Sequence, residues 1–204
     1  MKILRLETSF NGEASKSYQL GNTIVENLAK SYSEIQVLRR NLVEREIPHL
    51  NGLHFTAFAT PVEQLSEELK TAIQYSNDFI EELMQSDIIV IDVPMYNFSI
   101  PSSLKAWIDH IIRAGVTFRY SQSGIEGLVK NKRAYLAIAS GGVYSEGALK
   151  DFDFTEKYLR NILGFIGIQD LVVFRVEGVA LPDLKETAMP KAIKAVEQAF
   201  EFVT

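Results

Sequence analysis

A chain of 204 residues with 47% hydrophobic content is long for one domain and short for two, so a single α/β domain over residues 1–204 is the expectation. A formal net charge of −5 and a pI near 5.3 argue against a surface built to neutralise the phosphates of DNA, RNA or anionic lipid. With no cysteine, disulfides, thiolate metal sites and cysteine nucleophiles are excluded. The segment Met1 to Glu7 is too short and too charged for a secretory signal, and no apolar stretch approaches membrane-spanning length. A soluble cytoplasmic protein with no nucleic-acid or membrane partner is expected.

Apolar runs of strand length alternate with segments of helical period, the pattern of βαβ units closing a parallel sheet. Lys2 to Glu7 reads as the first strand, and Ser17 to Tyr32 as a helix with Leu20, Ile24 and Leu28 on one face. Ile35 to Arg39 is a short second strand. Leu42 to Ala59, with Pro48 and Gly52, reads as a long irregular connection rather than a helix. Thr60 to Glu63 matches a capping box with proline at the first helical position. It predicts one long helix reaching Ser86, with Leu65, Leu69, Ile73, Ile80 and Leu83 inward.

The apolar run from Asp87 to Val93 suits a strand covered on both faces, as central strands of parallel sheets are. It empties into Pro94-Met-Tyr-Asn-Phe98. A third helix follows, with Leu104, Trp107, Ile108 and Ile111 as its stripe and Gly115 at its end. On it, Lys105 and Asp109 are spaced for an i,i+4 ion pair. Val116 to Lys132, carrying Gly124 and Gly127, predicts a hairpin excursion. Arg133 to Ala139 is the fourth strand and Ser140 to Gly147 its exit loop. A helix from Thr155 to Phe165, a strand from Leu171 to Val176 and a last helix through Ile193, Val196 and Phe200 complete the chain. Pro190 blurs the start of that last helix, because proline in a helix interior costs about 3 kcal/mol.

In a doubly wound sheet of five strands, ligands sit over the carboxyl ends of strands one and three, bordered by the exit of strand four. The first of these loops places the hydroxyls of Ser9, Ser15 and Ser17 near a helix amino terminus, a combination that holds phosphate; Lys16 adds a charge. In the second, Pro94, Met95, Tyr96, Asn97 and Phe98 offer a sulfur-and-aromatic shelf for a flat ring, stiffened by proline. In the third, Ser140, Gly141 and Gly142 bring backbone N–H groups close to a ligand edge. Each loop alone has a plain structural explanation; three around one crevice point to a ligand.

These three segments, together with Ile100 to Lys105, Arg113 to Tyr120, Gly127-Leu128 and Leu163 to Ile168, resemble the FMN-dependent NADH azoreductases, which are also quinone reductases. The similarity runs in order over nearly the whole chain. It implies a flavodoxin-like α/β fold, a doubly wound parallel sheet of strand order 2-1-3-4-5, and a homodimer with two active sites at its interface. It further implies bound FMN, reduced by NADH as co-substrate and reoxidised by quinones or azo compounds in a ping-pong cycle. Carried over by residue, Ser9, Ser15, Lys16 and Ser17 hold the phosphate, Pro94 to Phe98 cradle the ring, and Ser140, Gly141, Gly142 and Val143 line its pyrimidine side. The backbone N–H of Asn97 is the expected partner of flavin N5, and no side-chain acid or base is required. Phe118, Tyr120 and Tyr144 are candidate walls of the substrate pocket. Many members carry arginine and histidine where this chain has Gly141 and Tyr144.

Other classes fit less well. An electron-carrier flavodoxin without NADH turnover is expected to show a denser acidic face and shorter loops. A phospho-receiver needs acidic residues where Thr8 and Ser9 stand. No Gly-x-Gly-x-x-Gly follows a strand, and no Gly-x-Ser-x-Gly elbow is present. His49, His54 and His110 lack metal-ligand spacing and read as surface or loop residues, with no metal site expected.

Overall fold

The computed structural model describes residues 1–122 and 124–201. Its strands β1 (Lys2–Glu7), β2 (Gln36–Asn41), β3 (Ile88–Pro94), β6 (Arg133–Ser140) and β7 (Asp170–Glu177) form one sheet in the order β2-β1-β3-β6-β7. Every neighbouring pair in it is parallel, the doubly wound order expected from the sequence. A separate antiparallel hairpin joins β4 (Phe118–Ser121) to β5 (Gly124–Gly127).

The helices divide the sheet's two faces by the strands' period of two. Ile89, Ile91 and Val93 of β3, with Leu4 and Leu6 of β1, pack beneath α4 (Gln74–Gln85), α5 (Ser102–Ile111) and α6 (Phe154–Ile166). Ile88 and Val90, with Ile3, face α1 (Lys16–Ser31) and α7 (Lys185–Phe200). All of β3 is buried, so its end can open only into the crevice between loops. The edge strand β2 is mostly exposed along its length.

Several local expectations are corrected. Residues 52–59 are not irregular: α2 (Gly52–Ala59) forms, nucleated by a reciprocal capping box between Asn51 and His54. Thr60 and Pro61 do not open a long helix. Thr60 closes α2, a short 3-10 turn follows at Val62–Gln64, and α3 (Glu67–Ala72) starts from Ser66, whose hydroxyl accepts from the Leu69 N–H. Ile73, with non-helical dihedrals, then offsets α3 from α4. Helix α5 ends at Ile111, well before Gly115. Pro190 lies inside α7 on its exposed side, where the carbonyl it leaves unpaired faces solvent.

Two of the three histidines are interior residues, contrary to the sequence reading; only His49 is exposed. His54 of α2 and His110 of α5 meet edge to face at 5.2 Å, and His110 Nε2 bonds the Pro48 carbonyl at 2.8 Å. They dock the 42–59 segment onto α5. The hairpin is fixed differently: a Cβ at Gly127 would lie 2.2 Å from the Gly167 backbone nitrogen, so only glycine lets β5 approach the end of α6.

Candidate active site

Strands β1, β3 and β6 deliver their exit loops to one edge of the sheet. In the first loop Ser9, Ser15 and Ser17 are all buried, and the Ser15 and Ser17 hydroxyls lie 2.9 Å apart. Ser15 is the residue preceding α1, yet its side chain makes no cap bond. The first intrahelical bond of α1 runs from Gln19 to the Ser15 carbonyl, which leaves the N–H groups of Lys16, Ser17 and Tyr18 without helical partners. Two converged hydroxyls beside three free donors at the positive end of a 16-residue helix suit a phosphate. The Lys16 ammonium instead reaches Gln19 Oε1 at 3.3 Å on the exposed side, so this residue's N–H, rather than its charge, belongs to the loop.

The second loop is a tight turn with reciprocal bonds of 3.0 Å between Tyr96 and Ser99. Its central residues, Asn97 and Phe98, both have positive φ, 50° and 68°. That is the arrangement of a type I′ turn, tolerable for asparagine and strained for a bulky side chain. The turn is held from three sides: Met95 N–H donates to Ala139, the Phe98 carbonyl accepts from Phe154, and the Phe98 ring packs on Phe152 at 5.5 Å. Among the described residues the Asn97 N–H has no partner. The turn therefore presents a fixed, unsatisfied donor.

Ser9 links the two loops, its hydroxyl lying 3.5 Å from that of Tyr96. In the third loop Ser140 Oγ donates to the Gly142 carbonyl, and the carbonyls of Gly141 and Gly142 accept from Ala180 and Gly178; among the described residues the two glycine N–H groups have no partner. Glu177 holds the loop by accepting from the N–H groups of Tyr144 and Ser145 at 2.8 and 2.9 Å, with half-buried Val143 just before them. Arg175 braces Glu177 and also pairs with Asp153 and Glu156 at 2.5 Å.

A cavity of about 880 Å³ opens beside the turn. Met95, Tyr96 and Asn97 line it together with Phe10, Lys105 and Tyr158. The expected pocket walls stand elsewhere in this chain. Phe118 is buried against Phe165, Tyr120 is exposed at the hairpin, and Tyr144 lies across the turn with its ring 6.1 Å from Phe98. Lys105 is paired with Asp109 at 2.6 Å, as its spacing suggested.

Sequence reasoning passed over Phe10, which is 68% exposed and stacks on Tyr96 with ring centroids 6.2 Å apart. A single large apolar residue in a loop of serines, asparagine and glycine was its signal. It also passed over Arg5, in the middle of β1, and Asp92, the one charge in otherwise apolar β3, which meet at 2.8 Å in the interior. Burial raises the Asp92 pKa to about 7, outweighing the opposing pull of Arg5.

The observed residues fit FMN: hydroxyls and helix donors could hold a phosphate, an aromatic turn a flat ring, and uncommitted N–H groups its polar edges. Comparison with known proteins agrees. A family model described as flavodoxin-like fold matches residues 1–200. An FMN-dependent NADH:quinone oxidoreductase of Beijerinckia indica is 42% identical over 97% of this chain and 98% of its own, and one of Francisella philomiragia is 45% identical over 97% and 95%. The crystal structure of an azoreductase from Bacillus anthracis superposes with a TM-score of 0.90 at 25% identity, covering 98% of both chains. An FMN-dependent NADH-azoreductase from the same species, in complex with FMN, gives 0.86 at 26% identity, again covering 98% of both. By fold and by sequence, this chain belongs to the flavodoxin-like family of FMN-dependent NADH:quinone oxidoreductases and azoreductases.

Proposed function

We propose that this chain is an FMN-dependent NADH:quinone oxidoreductase and azoreductase, a single cytoplasmic domain that works as a homodimer with its sites at the interface. The observation that carries the reading is the shared rim. Converged serine hydroxyls with a bare helix start stand at one end, and a strained aromatic turn with a free Asn97 N–H stands at the other. When bound, FMN supplies the hydride chemistry, accepting from NADH and giving to a quinone or azo compound.

The protein's part is placement and electrostatics. Ser9, Ser15, Ser17 and the first-turn N–H groups hold the phosphate. The turn at Met95 to Phe98 would hold the ring, with the Asn97 N–H as the donor offered to N5. Donors at Gly141 and Gly142 stabilise the negative charge that develops at the pyrimidine edge on reduction. Every one of these groups is a backbone donor or a hydroxyl, so hydride transfer itself calls for no side-chain acid or base. Tyr120, exposed on the hairpin, serves as a substrate wall for the partner's site, backed by buried Phe118, with Tyr144 contributing beside Phe98.

Anaerobic stopped-flow mixing tests the reading. NADH should bleach the flavin absorbance of the holoprotein, and added quinone should restore it, each half-reaction independent of the other substrate. Bleaching that requires quinone to be present overturns the ping-pong cycle, and a flavin that NADH leaves oxidised returns the protein to the class of electron carriers.

A further inference from the structure

Arg5 and Asp92 form a buried pair that lies under the site rather than in it. Arg5 is 1% and Asp92 0% exposed. Asp92 Oδ2 accepts from Arg5 Nε at 3.2 Å and from Nη2 at 2.8 Å. The same guanidinium donates to the Tyr18 carbonyl at 2.8 Å and to the side chain of Asn22, both on α1. The Tyr18 ring lies over Arg5 with its centroid 4.4 Å away, and the Tyr18 hydroxyl accepts from Arg39 at 3.1 Å. Tyr18 directly follows Ser17. On the other side, the Thr8 hydroxyl donates to the Asp92 carbonyl at 2.6 Å, and Thr8 directly precedes Ser9. Glu7 completes the cluster, 3.9 Å from Arg5 and 3.2 Å from Arg39.

Asp92 thus stands between the two arms of the serine loop. Its main chain holds the Ser9 arm, and its carboxylate, through Arg5, holds the Ser17 arm. Two residues further along the same strand, Pro94 begins the aromatic turn. The helix is seated on the pair with no slack: a Cβ at Gly21 would fall 1.8 Å from Asp92 Oδ1. A buried ion pair is weak support for stability alone, since well-packed apolar residues often replace one without loss. A placement that spans both arms of a ligand loop gives it another role.

We propose that Arg5 and Asp92 are positioning residues for the phosphate end of the site, fixing Ser9 against Ser17 and both against the strand that carries the aromatic turn. This rests on the reading of the serine loop as the phosphate site. Neither residue touches the ligand. Their effect is on the spacing of the donors, so it is felt by a flavin that has a phosphate and not by one that lacks it.

The test is titration of the full-length chain with FMN and, separately, with riboflavin, each followed by flavin fluorescence. The native chain should bind FMN far more tightly than riboflavin; equal affinities would remove the phosphate reading itself, and the proposal with it. The double variant Arg5→Met, Asp92→Ala removes both charges together, which avoids leaving one buried and unpaired. Its FMN Kd should rise by about tenfold or more, with the riboflavin Kd within about twofold of native. Arg5→Lys keeps the charge opposite Asp92 but cannot fork to Tyr18 and Asn22, and should show a smaller loss confined to FMN. If both flavins weaken by the same factor, or neither weakens, while the native chain discriminates between them, the pair is structural only and the proposal is overturned. Should the double variant fail to fold, Arg5→Lys decides by the same criterion.

Discussion

The hydroxyls of Ser15 and Ser17 lie 2.9 Å apart, buried, at the start of a helix that neither of them caps. Serines at such a position ordinarily satisfy the helix's first N–H groups. Here those donors stay free and the two hydroxyls lie together beside them, an arrangement that suits an anion.

Ser17→Ala should therefore weaken FMN with little effect on folding. Loss of a hydrogen bond to a charged group is worth about 1.5–3 kcal/mol, or roughly 10- to 150-fold in affinity. Fluorescence titration measures the first quantity and thermal melting the second. A Tm loss of many degrees with unchanged FMN affinity would assign Ser17 to the core.

Asn97 separates a backbone role from a side-chain role. At φ 50° an alanine is disfavoured relative to glycine by about 1–2 kcal/mol. Asn97→Gly should keep both stability and the rate of flavin reduction by NADH, because the N–H it presents is unchanged. Asn97→Ala should lower stability in urea melts by about 1 kcal/mol while the rate of reduction stays near native. A collapse of the reductive half-reaction in the folded glycine variant would show that the Asn97 amide, and not the main chain, does the work.

Glu177 grips the third loop through two N–H groups and faces Arg175. Glu177→Gln keeps the shape but gives up the charge in those bonds, a difference of about 1 kcal/mol. FMN affinity should fall roughly fivefold if the loop lines the ligand. Unchanged affinity in calorimetry would place Ser140 to Val143 outside the site.

Interior His110 predicts a pH dependence. Burial lowers the His110 pKa from 6.5, the nearby His54 lowers it further, and the bond to Pro48 opposes the shift only in part. Below 6.5 the unfolded chain binds a proton that folded His110 refuses, so stability is full above that pH and is lost as the pH falls toward the depressed folded value. Between about pH 7 and pH 5 this contribution lowers Tm, while folded Asp92, its pKa raised to about 7, takes up a proton and acts the other way; His110→Gln, which can still donate to the Pro48 carbonyl, should therefore lose less Tm on acidification than the native chain. The same slope in both proteins would place the titration elsewhere.

The central place of β3, the hairpin and the three loops were legible in the sequence because they rest on local regularities, whereas the full strand order came from the family resemblance. A fully apolar run such as that of β3 has few places to go except the middle of a parallel sheet, and serines before a helix or glycines after a strand carry their geometry with them. The 42–86 region was misread because Thr60 and Ser66 can each cap a helix, and packing decided between them; the box between Asn51 and His54 emerged only in the structure. The Arg5–Asp92 pair, the docking of His54 on His110 and the stacking of Phe10 on Tyr96 join residues 87, 56 and 86 positions apart, where no periodicity speaks. By itself the sequence determined which faces must be buried and which loops share an edge of the sheet. Only the tertiary structure decided which buried charges meet, because the cost of an unpaired charge is set by what the rest of the fold brings beside it.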